Sequence, residues 1–399
     1  MENPPDKTAE GDGSYLHHLA ELVAQGFGNL ERKLDPERML AQDANWTFRA
    51  LNMDSRETLC NRLHSTLLPL LKDQLTTIST LLEPASMRKG PKSNLEHVLK
   101  IQPEFDSNVH QIHFIIHLIC PESLSSASQI NDQHLKQFKV FRLLELKNKW
   151  LLTLRKTSAL FREGTEYIQK IKLLKGGSFD VGKTHPYRYR TDIVVDLIKF
   201  TIRLLNGSEL DIVEDSTKEA SLDIVHLLGE NLILVDRNLP LRHAFEFRLT
   251  HPPLIHLAHL ARLPLRLSGL FYKKLSSSQM NSGHSLSLFT QMNSHQLKSL
   301  CQLALEVRSD HEALHVNLSH AGGAFGFAPL DVEPFVQTAN NLASRFEGPL
   351  SSIVNYLVPL IENEADQNYH RDWFAAWDIL FRLAIHNFVQ AVQNYQPQF

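Results

Sequence analysis

Residues 371–395 are RDWFAAWDILFRLAIHNFVQAVQNY, and this stretch decides the fold class. Its apolar residues recur at steps of three and four, which is the period of one face of an α-helix. The residues of that face are Trp373, Trp377, Leu380, Ala384, Phe388, Ala391, Val392 and Tyr395. A narrow polar stripe beside them consists of Asp378, Arg382, His386 and Gln390. The pattern predicts a helix that is buried on most of its circumference and that forms a central strut of a bundle rather than a binding surface.

The same spacing recurs along the chain, and no segment shows the apolar–polar alternation of a half-buried strand. The sequence therefore predicts an all-α protein of two antiparallel helical bundles with long, partly kinked helices. Pro69 and Pro264 fall inside predicted helices and should kink them. The predicted divisions are a disordered polar tail at 1–14, an N-terminal bundle at 15–175, a linker at 176–190 and a C-terminal bundle at 191–399.

Local signals mark where individual helices begin and end. Thr191 is predicted to cap a helix that stops at Asn206-Gly207, a sequence that favours a C-terminal cap. Ser216 and Glu219 have the spacing of a capping box, so a further helix is expected to start there.

The composition limits the classes of protein to which this chain can belong. The chain has 399 residues and a net charge of -3, which disfavours bulk attraction to nucleic acid or to an anionic membrane. Cys60, Cys120 and Cys301 lie far apart, so we expect buried thiols in a reducing compartment. The polar N-terminus lacks the apolar segment of a signal peptide, and no stretch is apolar enough for a membrane span. These observations predict a soluble protein of the cytoplasm or nucleus.

The sequence His311-Glu312-Ala313-Leu314-His315 matches H-E-x-x-H, in which two histidines hold zinc and the glutamate activates water. It lies on a predicted helix, as that chemistry requires. Helical phase, however, places His311 and His315 on the core face of that helix. The two interpretations are a zinc-dependent hydrolase and a pair of core histidines that bind neighbouring groups.

A second histidine cluster lies on one predicted helix face, with Ile112 and Ile116 directed away from it. Its members are Asp106, His110, His113 and His117. A metal or pH-sensing site is one interpretation and a solvated polar face is the other. His251, His256 and His259 likewise lie off the apolar face formed by residues between 254 and 265, and their spacing indicates no ligand role.

Residues 131–175 carry eleven Lys and Arg against four Asp and Glu. Arg142, Lys149 and Lys156 stand seven residues apart, so they share one helix face. That stripe is either the solvated side of a helix or a docking face for an acidic partner or a phosphorylated ligand. Aromatic residues do not interleave with it, which disfavours binding of nucleic acid.

Several stretches carry a family resemblance: residues 67–84 (LLPLLKDQLTTISTLLEP), 132–146 (DQHLKQFKVFRLLEL), 269–276 (GLFYKKLS) and 288–297. They resemble the uncharacterised, lineage-expanded helical proteins of rust fungi. That resemblance implies a helical bundle over most of the chain and implies no activity. The architecture is also similar to cyclin-D-binding helical proteins, which implies a partner-binding role.

The sequence thus predicts a non-enzymatic interaction or scaffold protein with a protein partner. It predicts no catalytic residues, no cofactor and no bound metal, and it leaves the oligomeric state open. The alternative is a zinc-dependent hydrolase in which His311 and His315 bind the metal and Glu312 is the base.

Overall fold

A computed structural model describes residues 7–43, 53–120, 131–173, 186–236, 248–275, 280, 288–323 and 330–395. These residues are mostly helical, and no strand occurs among them. The prediction of an all-α fold is confirmed.

The chain divides into two compact units, of which the first comprises residues 1–124 and 142–206. The helices as far as Asn206 are α1 (Lys7–Lys33), α2 (Pro36–Asp43), α3 (Met53–Arg62), α4 (Leu68–Leu81), α5 (Pro84–Lys89), α6 (Pro91–Ile119), α7 (Val140–Leu173) and α8 (Pro186–Asn206). A π-helical turn, Leu63–Leu67, joins α3 to α4 just before Pro69. The aromatic core of this unit includes Phe27 stacked on Phe161, with 5.2 Å between ring centroids.

The second unit comprises residues 125–141 and 207–399. Its helices are α9 (Glu209–Val235), α10 (Pro252–Leu275), α11 (Ser294–Gly323), α12 (Val332–Arg345), α13 (Glu347–Ser352) and α14 (Glu364–Gln393). Shorter turns are the 3-10 helices Gln133–Phe138 and Val358–Leu360 and the π-helix Ile353–Leu357.

The two units divide the chain between Asn206 and Gly207, so α8 groups with the first unit. The sequence-based division into 15–175 and 191–399 stays a prediction about domains. Helix α1 begins at Lys7, within the predicted polar tail at 1–14.

The helix ends differ from two of the predicted caps. Helix α8 ends at Asn206 as expected, but it begins at Pro186, and the hydroxyl of Thr191 donates to the carbonyl of Tyr187 inside it. Ser216 also lies within a helix and donates to the carbonyl of Ile212. The capping box is formed instead by Ser208 and Asp211, whose side chains each accept a bond from the other's backbone N–H. The short Gly207-Ser208 connection leaves room for this box directly after α8.

In the second unit, α9, α10 and α14 lie side by side. Helix α11 packs against α9 and α10, and α12 packs against α11 and α14. Helices α10 and α14 are antiparallel, because Tyr395 is bonded to His251 while Trp377 donates to the carbonyl of Leu267. Aromatic rings fill the space between these helices, and the centroid of Trp377 lies 4.8 Å from that of Phe271.

A buried ion pair joins three distant segments of this unit. The Lys139 ammonium donates to Glu209 Oε1 over 2.6 Å and to the carbonyl of Thr290 over 2.9 Å, and both charged side chains are fully buried. Glu209 Oε2 accepts from the backbone N–H of Thr290 at 2.8 Å. Nearby, the Asp132 carboxylate accepts from the backbone N–H groups of Val140 and Ser294. For both carboxylates, hydrogen bonds from fixed protein donors therefore take the place of those lost from water.

We expect Lys139→Met to lower the free energy of unfolding by about 3–5 kcal/mol, because it leaves the Glu209 charge buried without its counter-ion. Lys139→Met combined with Glu209→Met should be less destabilising than the single variant. Denaturant unfolding of each variant measures both changes.

Lys199→Met is the control, since Lys199 pairs with Asp196 at the surface, where ion pairs contribute about 1 kcal/mol or less. If Lys139→Met were as stable as the unmodified protein, the pair between Lys139 and Glu209 would not stabilise the fold and the prediction would be wrong.

Candidate partner-binding face

Helix α10 is the middle helix of the α9–α10–α14 row, and its sequence explains that position. Apolar and small residues cover three sides of it. Ser268 and Tyr272 face α11, where they bond to His311 and to the carbonyl of Leu303. Gly269 faces α9, and a Cβ added there would meet the side chain of Ile224 at 3.4 Å. Only the side opposite α11 reaches solvent.

The solvent-exposed strip of α10 recurs at steps of three and four and is both apolar and basic. Its exposed residues are His256, His259, Leu263, Arg266, Leu270 and Lys273. Helix α10 contains no Asp or Glu, while it carries Arg262, Arg266, Lys273 and Lys274. Leu270 is 52% exposed and Leu263 is 42% exposed. The strip therefore combines leucines with cations on one narrow face.

Helix α14 exposes an apolar row on the flank next to α10. Tyr369 and Trp373 lie over the Lys274 ammonium, with 4.4 Å from that nitrogen to the Tyr369 centroid, which places this flank beside α10. At 100° per residue, Leu380 and Leu383 continue the same row toward the C-terminus. Both are more than half exposed.

The prediction that α14 is buried on most of its circumference is therefore wrong. Leu380, which was assigned to the buried face, is 54% exposed, and Ile379 is 68% exposed. On the other flank, Arg382 binds Asp378 and reaches Glu347 of α13. The apolar period alone does not distinguish a core contact from a surface row, because both require the same residue types.

Helix α9 borders α10 on its other side and also exposes apolar side chains. Asp223 and Glu230 face α11, where Asp223 pairs with Arg308 and Glu230 lies near His315. Val225 lies on the opposite flank of α9 and is 67% exposed. Val225 and the exposed row of α14 therefore flank the strip of α10 on the side away from α11. We call the exposed residues of α10 and of these adjoining flanks of α9 and α14 the outer face.

Two arginines at the centre of the outer face have no acidic partner among the residues that the structure describes. Arg262 and Arg266 are one helical turn apart, and Arg262 Nε is buried without a hydrogen-bond partner. Burial lowers the pKa of Arg262, and the neighbouring Arg266 guanidinium lowers it further. Like charges at this spacing destabilise a helix. The arrangement is electrostatically unfavourable in the isolated chain.

The H-E-x-x-H histidines occupy different surroundings. His311 is buried against α10, and its Nε2 lies 3.1 Å from Ser268 Oγ. Because the Ser268 hydroxyl donates to the carbonyl of Pro264, its oxygen accepts from His311, which assigns the proton to Nε2. Burial lowers the pKa of His311 to about 3. His311 is a core histidine, as one of the two interpretations expected.

Glu312 and His315 line a cleft of about 510 Å³ between α9 and α11. The Arg308 guanidinium binds Glu312 at 2.8 Å, so this carboxylate is engaged in an ion pair. Burial lowers the pKa of His315, while the Glu230 carboxylate 4.0 Å away opposes that shift. In the described part of the chain, no group of three or more His, Cys, Asp or Glu is arranged to hold a metal ion.

The second histidine cluster splits between surface and core. Asp106 pairs with Lys33, and the exposed His110 bonds back to the carbonyl of Asp106. His113 is buried and accepts a bond from Trp150 Nε1 at 3.1 Å, and His117 is buried as well. The solvated polar face expected for this cluster therefore holds only for its first half. Trp150 of α7 covers His113.

The predicted basic stripe of α7 does not form a continuous exposed face. Arg142 is buried and donates to the carbonyl of Leu204. Lys149 is half-buried, with its ammonium 4.9 Å from the Phe200 centroid. Of the three, only Lys156 is exposed. The exposed strip of α10 was not predicted, because the spacing of His256 and His259 alone indicates no site. The signal that indicates it is the lack of acidic residues over 252–275 beside two arginines and two lysines.

Two family models match successive parts of the chain. Residues 56–206 match the model of a domain of unknown function (DUF8723), and residues 208–390 match that of a second domain of unknown function (DUF8721). None of the curated proteins and none of the solved structures matches the chain. The outer face lies wholly within the second match, whose start coincides with the division between the compact units. The resemblance to proteins of rust fungi stays a prediction.

Throughout the described ranges, no helix combines the length and the apolar character needed to cross a bilayer.

The burial of His311 predicts a pH-dependent stability. The unfolded side chain titrates near 6.5 and the native one near 3, so the unfolded state binds more protons between these values. The contribution of the neutral, buried His311 to the free energy of unfolding is fully present above about pH 6.5. It is lost as the pH falls toward 3, by up to about 1.4 kcal/mol per pH unit.

The unmodified protein should lose unfolding free energy when the pH falls from about 7.5 to about 5.5. We expect this loss to be about 1.4 kcal/mol smaller in His311→Gln, as measured by chemical denaturation at both pH values. His386→Gln replaces an exposed histidine and is the control. An unchanged pH dependence in His311→Gln would show that His311 titrates normally.

Proposed function

We propose that this protein is a non-enzymatic interaction protein whose outer face binds a protein partner. The observation that carries the proposal is the apolar surface that three adjacent helices expose on one side. Its most exposed members are Val225, Tyr369 and Leu380, at 54% to 67%. Monomeric proteins rarely leave contiguous apolar patches larger than a few hundred Å² uncovered.

The composition of the outer face supports this function. Leucines and aromatic side chains supply contact area, while the basic residues of α10 supply orientation and specificity. The helices that present these side chains are packed on a core of large rings, including Phe271, Phe346 and Trp377. A surface on a firmly packed scaffold loses little conformational entropy on binding.

No observation favours the zinc-dependent hydrolase. The proposed base, Glu312, is held by Arg308, and His311 Nε2 is engaged with Ser268. A water-activating base needs a free carboxylate directed at the metal-bound water. We therefore do not propose that His311, Glu312 and His315 act together.

The thiols support a reducing compartment, for which we propose the cytoplasm or nucleus. Cys60 and Cys120 are free and buried. Burial raises the pKa of the Cys60 thiol to about 11 and that of Cys120 to about 12, which suppresses the reactive thiolate.

Affinity capture from native extract tests the proposal. We expect Leu263→Glu combined with Leu270→Glu to reduce recovery of the specific partner about tenfold, because two carboxylates would be placed in the apolar contact. Recovery is quantified by mass spectrometry against the unmodified full-length chain.

Leu305→Glu is the matched control, since Leu305 is 64% exposed on α11, away from the outer face. Partners that are retained equally by the double variant and by Leu305→Glu would count against the outer face. Helicity and melting temperature of the variants confirm that both remain folded.

A further inference from the structure

The exposed strip of α10 has the dimensions of a helix-docking seam. From His256 to Lys273 it spans about 25 Å at 1.5 Å per residue, the length of roughly five helical turns. Leu263 and Leu270 are seven residues apart, so they lie one above the other along it. A partner helix packed on this seam would meet an apolar side chain about every second turn.

Apolar side chains of α9 and α14 stand on either side of this seam. Val225 borders it on α9, and Leu380 and Leu383 border it on α14. An occupant lying on α10 would thus contact apolar side chains on both sides, as in the helix-in-groove mode of recognition.

The charges on the seam specify the occupant. Arg262 and Arg266 repel each other across one helical turn, and the described residues offer them no carboxylate. A second helix carrying two acidic residues one turn apart would present its carboxylates at the matching spacing. Each guanidinium would then gain a charge-assisted hydrogen bond, and the repulsion would be relieved.

We propose that the outer face binds an acidic amphipathic α-helix of a partner protein, with its carboxylates on Arg262 and Arg266 and its apolar side chains on Leu263 and Leu270. This inference rests on the proposed function and names the class of its partner.

Other occupants fit the arrangement less well. A flat anionic membrane would bury the central cations, because the apolar rows that would enter the lipid stand on both sides of them. A second copy of this chain paired through α10 would bring Arg262 and Arg266 toward the same cations. Nucleic acid is disfavoured because no aromatic residue interleaves with the exposed cations of α10.

Fluorescence anisotropy with the full-length chain and a labelled designed peptide tests the inference. The probe is an amphipathic helix of about 18 residues with leucines at heptad spacing and pairs of glutamates one turn apart. Matched peptides carry lysine in place of glutamate, or the same composition in scrambled order. We expect the acidic helix to bind, the scrambled and lysine peptides to bind at least about tenfold more weakly, and added salt to weaken binding.

The charge-reversal variant Arg262→Glu with Arg266→Glu should weaken binding of the acidic helix about tenfold and strengthen binding of the lysine helix. Arg155→Glu with Arg162→Glu is the control, because it makes the same change in net charge at exposed positions of α7. Equal binding of acidic and lysine helices, or an equal effect of the control, would overturn the inference. Preferential binding of phosphatidylserine vesicles or of RNA through the same arginines would overturn it as well.

The two proposals fail separately. If Leu263→Glu with Leu270→Glu releases the captured partner while charge reversal at Arg262 and Arg266 does not alter peptide preference, the outer face is an interface without acidic specificity. If neither pair of substitutions changes any binding, both proposals are wrong.

Discussion

The second unit depends on the buried ion pair between Lys139 and Glu209. An isolated charge in such a place is unfavourable by several kcal/mol, so neither residue can be buried without the other. Lys139 precedes α7, Glu209 is the first residue of α9, and Thr290 comes shortly before α11. Their joint burial requires these three segments to meet in one arrangement, whereas apolar contacts tolerate many. The pair thus contributes specificity more than net stability, and it fixes where α9 begins.

That starting point determines which side of α9 is exposed. With Ser208 and Glu209 held in place, the helical phase directs Asp223 and Glu230 toward α11 and Val225 toward solvent. A helix displaced by one residue would rotate by about 100° and would remove Val225 from the outer face. A polar contact at one end of the helix therefore controls a surface several turns away.

The sequence was sufficient for the fold class and for most helices, because the period of apolar residues is a local property. It was not sufficient for the role of each face. Leu380 has the same spacing as the buried Trp377 and Phe388, yet it is exposed, since the packing of α10 and α12 leaves that flank uncovered. In the same way, Arg142 and Lys149 have the spacing of a solvated stripe, but neighbouring helices cover them. Burial of a helix face depends on its neighbours, which one helix does not encode.

The histidines and arginines show that a sequence motif does not by itself identify a functional residue. His311 belongs to a recognisable catalytic pattern, but its bond to Ser268 and its burial make it a structural residue. Arg262 and Arg266 belong to no such pattern, and their importance appears only because no described carboxylate forms an ion pair with either of them. A compact fold usually pairs or exposes its charges, whereas Arg262 Nε is buried without a hydrogen-bond partner beside the like charge of Arg266, a cost that folding alone does not explain. A cost of this kind, at the centre of an apolar surface, is relieved by a partner of opposite charge.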